Sequence, residues 1–89
     1  MMEDVKMNVA LYQTSDFYLA AWLLSKGFML ENLDHTDPKR FEFIFQDRPD
    51  RPELVKEFIS GRAVGNVADF VYQLRRAKNL LYAESKGNR

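Results

Sequence analysis

Eight consecutive apolar residues, Phe17–Leu24, stand between Thr14-Ser15-Asp16 and Lys26-Gly27. This punctuation predicts a helix across Thr14–Phe28. The hydroxyl of Thr14 or Ser15 is the expected N-cap, accepting an orphan backbone N–H of the first turn. Asp16 puts negative charge at the positive end of the helix dipole, and Lys26 puts positive charge at the other end. Gly27 suits the left-handed residue that follows many helices. Phe17, Ala20, Ala21 and Leu24 share one face. Leu19 and Leu23 share a second, and Tyr18 and Trp22 lie one turn apart on a third. A helix apolar nearly all round is buried on most sides. It is too short to cross a bilayer, which needs about 20 apolar residues. The rest of the chain must therefore cover it, and the Tyr18/Trp22 edge is the part left to meet a partner.

The covering elements follow from the periodicity. Met7–Gln13 alternates and reads as a short strand. Phe28–Leu33 reads as a second strand, with Leu30 facing opposite to Met29 and Leu33. Asp34–Arg40 carries turn residues, Asp34, Asp37 and Pro38. Phe41–Gln46 is the clearest strand, with Phe41, Phe43 and Phe45 on one face and Glu42, Ile44 and Gln46 on the other. Asp47–Pro52 repeats Asp-Arg-Pro and reads as a turn feeding a helix, with Asp50 or Arg51 as cap and Pro52 at the first helical position. The helix Glu53–Ser60 is expected to bury Leu54, Val55, Phe58 and Ile59, and Gly61 ends it. Asn66 caps a last helix running to about Tyr82. Its expected buried stripe is Val67, Phe70, Val71, Leu74, Ala77 and Leu81.

The expected class is α+β, ordered β-α-β-β-α-α. A small three-stranded, mostly antiparallel sheet in the order 1-3-2 packs on helices. Residues 1–89 form one domain, with an ordered core over about 7–83. A hydrophobic share of 46% argues against disorder. With no cysteine, neither disulfides nor thiolate chemistry is available. Met1–Asn8 has acidic residues and no apolar core segment, so it does not read as a signal peptide, and a cytoplasmic location is expected. The net charge is zero but unevenly spread: residues 1–50 hold five basic and nine acidic side chains (−4), and residues 51–89 hold eight and four (+4). The two signs could meet between copies of the chain, so a homodimer is one expectation.

The run Thr14-Ser15-Asp16, Leu19-Ala20, Leu23-Leu24, Gly27 resembles the start of a small bacterial and phage-associated domain family of unknown function. Phe41-Glu42-Phe43-Ile44-Phe45 looks like that family's second mark. Phe58, Phe70, Leu74 and Tyr82 fit its C-terminal half. The resemblance covers about residues 9–82. It implies a bacterial origin and a stand-alone small domain, and it brings no activity and no catalytic residues.

No catalytic, metal or cofactor set emerges from the residues. His35, in Asp34-His35-Thr36-Asp37, is the only histidine. It has no companion ligands at metal spacing and no nucleophile beside it. Gly61 and Gly65 do not form a phosphate loop. The last helix offers more. Tyr72, Arg76 and Asn79 share an exposed face, and with Tyr18 and Trp22 they are the candidate interaction residues for a protein partner or a second copy. Arg75, Arg76 and Lys78, with Arg62, are the candidates for nucleic-acid phosphate in an alternative reading.

Overall fold

The computed structural model describes residues 10–37 and 39–87. The elements are β1 (Leu11–Thr14), α1 (Phe17–Ser25), β2 (Leu30–Asp34), β3 (Glu42–Gln46), α2 (Arg51–Ile59) and α3 (Val67–Gly87). This is the expected α+β order. The three strands form one open sheet in the order β1-β3-β2, antiparallel throughout. The first strand is expected over Met7–Gln13. It runs instead from Leu11 to Thr14, and residues 7–9 lie outside the described residues. The Ala10 carbonyl still accepts from Asp47 N at 2.9 Å, which carries the β1–β3 pairing one step further.

Both ends of α1 are closed by specific bonds. Asp16 is the N-cap, its Oδ1 accepting from Tyr18 N at 3.0 Å and Leu19 N at 3.1 Å. The expected Thr14 or Ser15 cap is therefore corrected. Thr14 is the last residue of β1, opposite Phe43, and its hydroxyl accepts from Asp16 N at 3.0 Å. At the other end Gly27 has φ +88°. Phe28 N donates to Leu23 O at 3.1 Å, and Gly27 N donates to Leu24 O at 3.0 Å. This is the paired-bond ending that a left-handed residue permits. Phe28 is thereby folded back into the core. Gly27→Ala is expected to cost about 1–2 kcal/mol, because a Cβ is strained at this φ. The nearest atom to that Cβ, Arg48 Nη1, would be 3.8 Å away, so strain rather than collision sets the cost. Chemical denaturation of the two proteins measures it.

Phe43 and Phe45 point inward and are fully buried. Across the sheet, Phe45 pairs with Tyr12 and Leu30, and Phe43 with Thr14 and Leu33. Leu30 and Leu33 therefore lie on the same face, not on opposite faces. The cause is a β-bulge: the register shifts between Leu30 and Asn32 and leaves Glu31 as the extra residue. Phe41 precedes β3 and is only half-buried. The outer face carries Leu11, Gln13, Ile44 and Gln46.

The helices close the core around α1. Phe17 meets Phe43 of the sheet, ring centroids 6.4 Å apart, and Trp22 stacks on Phe58 of α2 at 6.2 Å. Ala20, Ala21, Leu23 and Ala77 of α3 have no exposed surface. On α2, Leu54, Val55 and Phe58 pack against this cluster, but Ile59, in the last helical position, is 76% exposed instead of buried. On α3, Phe70, Leu80 and Leu81 pack inward around Ala77, whereas Val67 is 75% exposed and Val71 is exposed too. The buried stripe is turned towards Leu80 and half-buried Gln73, away from Val67 and Val71. Asn66 caps α3 as expected, accepting from Asp69 N at 3.0 Å, and the helix continues past Tyr82 to Gly87.

Candidate interaction surfaces

The Asp-Arg-Pro repeat positions two arginines over two aromatic rings. Arg48 chelates Asp50, Nε to Oδ1 at 3.0 Å and Nη2 to Oδ2 at 2.7 Å. Its Nη1 donates to Lys26 O at 3.0 Å, and its guanidinium lies 4.1 Å from the centre of the Phe28 ring. It thus satisfies a terminal carbonyl of α1. Asp50 occupies the N-cap position of α2 without a side-chain capping bond, because its carboxylate is held by Arg48. Arg51 makes the parallel arrangement with Asp47, at 3.0 and 3.1 Å, while lying 4.2 Å from the centre of the Tyr12 ring.

The hydrogen bonds from Arg51 hold the Asp47 carboxyl below its usual range, against a smaller desolvation effect. A depressed folded-state pKa means that the pair stabilises the fold above the unfolded carboxyl pKa. That contribution is lost as pH falls through the folded value. Asp47→Asn is therefore expected to lower stability by about 1 kcal/mol at pH 7. The gap to wild type should begin to narrow near the ordinary carboxyl value of about 4 and close only below the depressed folded value, and thermal melts across pH 2–7 check both halves.

The His35 loop is held by its aspartates. Asp34 Oδ1 accepts from Thr36 N at 2.9 Å and from Thr36 Oγ1 at 2.6 Å, and these bonds lower its pKa. Asp37 Oδ1 accepts from Lys39 N at 2.9 Å. The half-buried His35 ring lies 5.9 Å from the Phe41 ring. Among the described residues, no group of three or more His, Asp or Glu side chains is arranged to hold a metal ion.

Of the candidate interaction residues, Tyr72, Arg76 and Asn79 come together on the outer face of α3. Tyr72 is 65% exposed, and Arg76 and Asn79 are exposed beside it. Arg76 Nη1 donates to Gln73 Oε1 at 3.2 Å. Exposed Arg75 and Tyr82 extend the same surface. The Tyr18/Trp22 edge does not survive as one surface: Tyr18 is 57% exposed but Trp22 only 5%. Phe58 covers one side of the indole, and Lys26 Nζ lies 4.5 Å from its ring centre. Its Nε1 is buried without a hydrogen-bond partner among the described residues. Arg62, Arg75, Arg76 and Lys78 are all exposed. Arg62 precedes α3, and Arg75 lies eight residues into it, roughly 12 Å along the axis. The four cations are thus not one cluster.

Residues 9–83 match a family described as a domain of unknown function, DUF5659. The chain belongs to this family. The DUF5659 match spans all six elements as far as the late turns of α3. No curated protein and no solved structure matches the chain.

The sequence did not single out a further feature of this DUF5659 domain. Trp22, Phe58, Ala63, Gly65, Asn66, Val67 and Phe70 line an open, mainly apolar hollow of about 220 Å³. The apolar residues were readable individually, as core or helix positions. Their convergence was not, because it depends on how the α2–α3 connection crosses the end of α1. No helix among the described residues is long and apolar enough to cross a membrane.

Proposed function

We propose that the protein is a non-enzymatic interaction domain that binds a protein partner or a second copy of itself. The observation that carries this reading is the exposed Tyr72–Arg76–Asn79 stripe of α3, flanked by Arg75 and Tyr82. Tyrosine and arginine are the residues that most often dominate binding energy at protein interfaces. The resemblance on Thr14–Gly27 and Phe41–Phe45 adds a bacterial or phage-encoded origin to the proposal, and a cytoplasmic setting goes with it. Tyr18, on α1, is a secondary candidate contact. Sedimentation over a concentration series and affinity capture from bacterial lysate test the reading. Tyr72→Ala and Arg76→Ala are each expected to weaken the resulting complex at least tenfold without changing circular dichroism. A protein that stays monomeric and captures nothing refutes the reading, and a complex untouched by both substitutions refutes the α3 stripe as its interface.

Exposure of Arg62, Arg75, Arg76 and Lys78 favours a second reading, contact with nucleic-acid phosphate. Binding to a duplex or single strand should then fall steeply with salt and weaken in Arg76→Ala. Its absence at low ionic strength removes this alternative.

A further inference from the structure

We infer that the hollow between α1, α2 and the start of α3 receives an aromatic side chain from an acidic segment of a partner protein. This inference rests on the reading of the protein as an interaction domain, but it uses a surface other than the Tyr72–Arg76–Asn79 stripe. Three rings line the hollow, Trp22, Phe58 and Phe70, and its volume suits one ring rather than an extended ligand. Offset and edge-to-face ring contacts are available to an aromatic guest there. Gly65 keeps the wall thin. A Cβ at this position would stand 3.0 Å from Trp22 Cζ3 and 3.3 Å from Trp22 Cη2.

The apolar surface does not stop at the rim. Val64 is 79% exposed between the lining residues Ala63 and Gly65, and the lining residue Val67 is itself 75% exposed. A small molecule seated in the hollow would leave Val64 and the outer side of Val67 in water. A chain segment crossing the rim would cover them, which is how buried anchors and their surroundings work together at interfaces.

Lys26 places one positive charge against this surface. Lys26 Nζ lies 3.5 Å from the Cβ position of Gly65 and donates one hydrogen bond to Val64 O at 2.9 Å. The ammonium group has two further protons to donate. Along Gly61–Phe70 exposed Arg62 and exposed Asp69 offset each other, so Lys26 sets the charge at the hollow. A carboxylate flanking the aromatic anchor complements the Lys26 ammonium group.

The probe is the blocked peptide Asp-Glu-Phe-Asp-Glu, titrated against the full chain while the emission of Trp22, the sole tryptophan, is followed. A saturable change is expected. Replacing the peptide's Phe by Ala, or its acids by Lys, should weaken binding at least tenfold. Val67→Glu, at an exposed rim position where folding is not at risk, should do the same. Lys26→Met should weaken binding at least threefold and flatten its salt dependence. Tyr72→Ala and Arg76→Ala should leave it unchanged, so loss of peptide binding and loss of the α3 surface are separable. The proposal is overturned by no saturable change at millimolar peptide or by equal binding of the lysine peptide. It is also overturned if phenylacetate, which offers a ring and a carboxylate but no chain, binds as tightly as the peptide.

Discussion

Replacing Leu23 with aspartate is expected to unfold the domain. Leu23 has no exposed surface and lies in the last turn of α1, the helix on which the sheet, α2 and α3 all converge. The substitution forfeits roughly 1.5–3 kcal/mol of leucine burial. It also places a carboxyl where no described side chain can pair with it, at a cost of several kcal/mol more. A domain of this length has on the order of 4–13 kcal/mol in total. The backbone adds to the effect, because the Leu23 carbonyl accepts from Lys26 N and Phe28 N and so anchors the turn out of α1. Circular dichroism and a thermal melt read the result. Tyr18→Asp is the matched control: same helix, exposed position, expected cost within about 1 kcal/mol. A cooperative melt of Leu23→Asp near the wild-type midpoint would mean that α1 is not the centre of the core.

The central helix was legible because its signals are local. An uninterrupted apolar run, an acid before it and a glycine after it need no tertiary information. The cap itself was not resolvable, since Thr14, Ser15 and Asp16 are all capping residue types. The choice fell to Asp16 because Thr14 is tied into β1 opposite Phe43, a contact made with a residue far along the chain. The alternation in Phe41–Gln46 likewise revealed the inward phenylalanines Phe43 and Phe45. The bulge at Glu31 was hidden, because a single extra residue leaves no mark on composition and reverses the facing of everything beyond it.

The surfaces divide in the same way. Exposure of Tyr72, Arg76 and Asn79 follows from helical spacing along one element. Trp22 could not be placed by spacing, since one turn from exposed Tyr18 it meets Phe58, which arrives from another helix. The hollow beside it exists only where the α2–α3 connection and α1 come together. The roles of Arg48 and Arg51 were unreadable for the same reason. The repeat suggested a turn, but their rings, Phe28 and Tyr12, belong to distant segments.

Phe45→Ala is expected to cost about 3–5 kcal/mol, the range for deleting a fully buried ring. Phe45 has no exposed surface, stands edge-on to Phe28 at 6.2 Å, and lies opposite both Tyr12 and Leu30. Because β3 is the middle strand, the cavity opens against both neighbouring strands at once, and neither can close it without losing register. For a domain of this size the midpoint should fall by roughly 15–30 °C. Ile44→Ala is the comparison that tests the sheet's facing. Ile44 is adjacent on the same strand but points to the outer face and is only half-buried. Its loss should cost about 1 kcal/mol. Should Ile44→Ala prove the more damaging of the two, the inner and outer faces of the sheet would have to be exchanged. The packing of α1 against Phe43 would then fall with them.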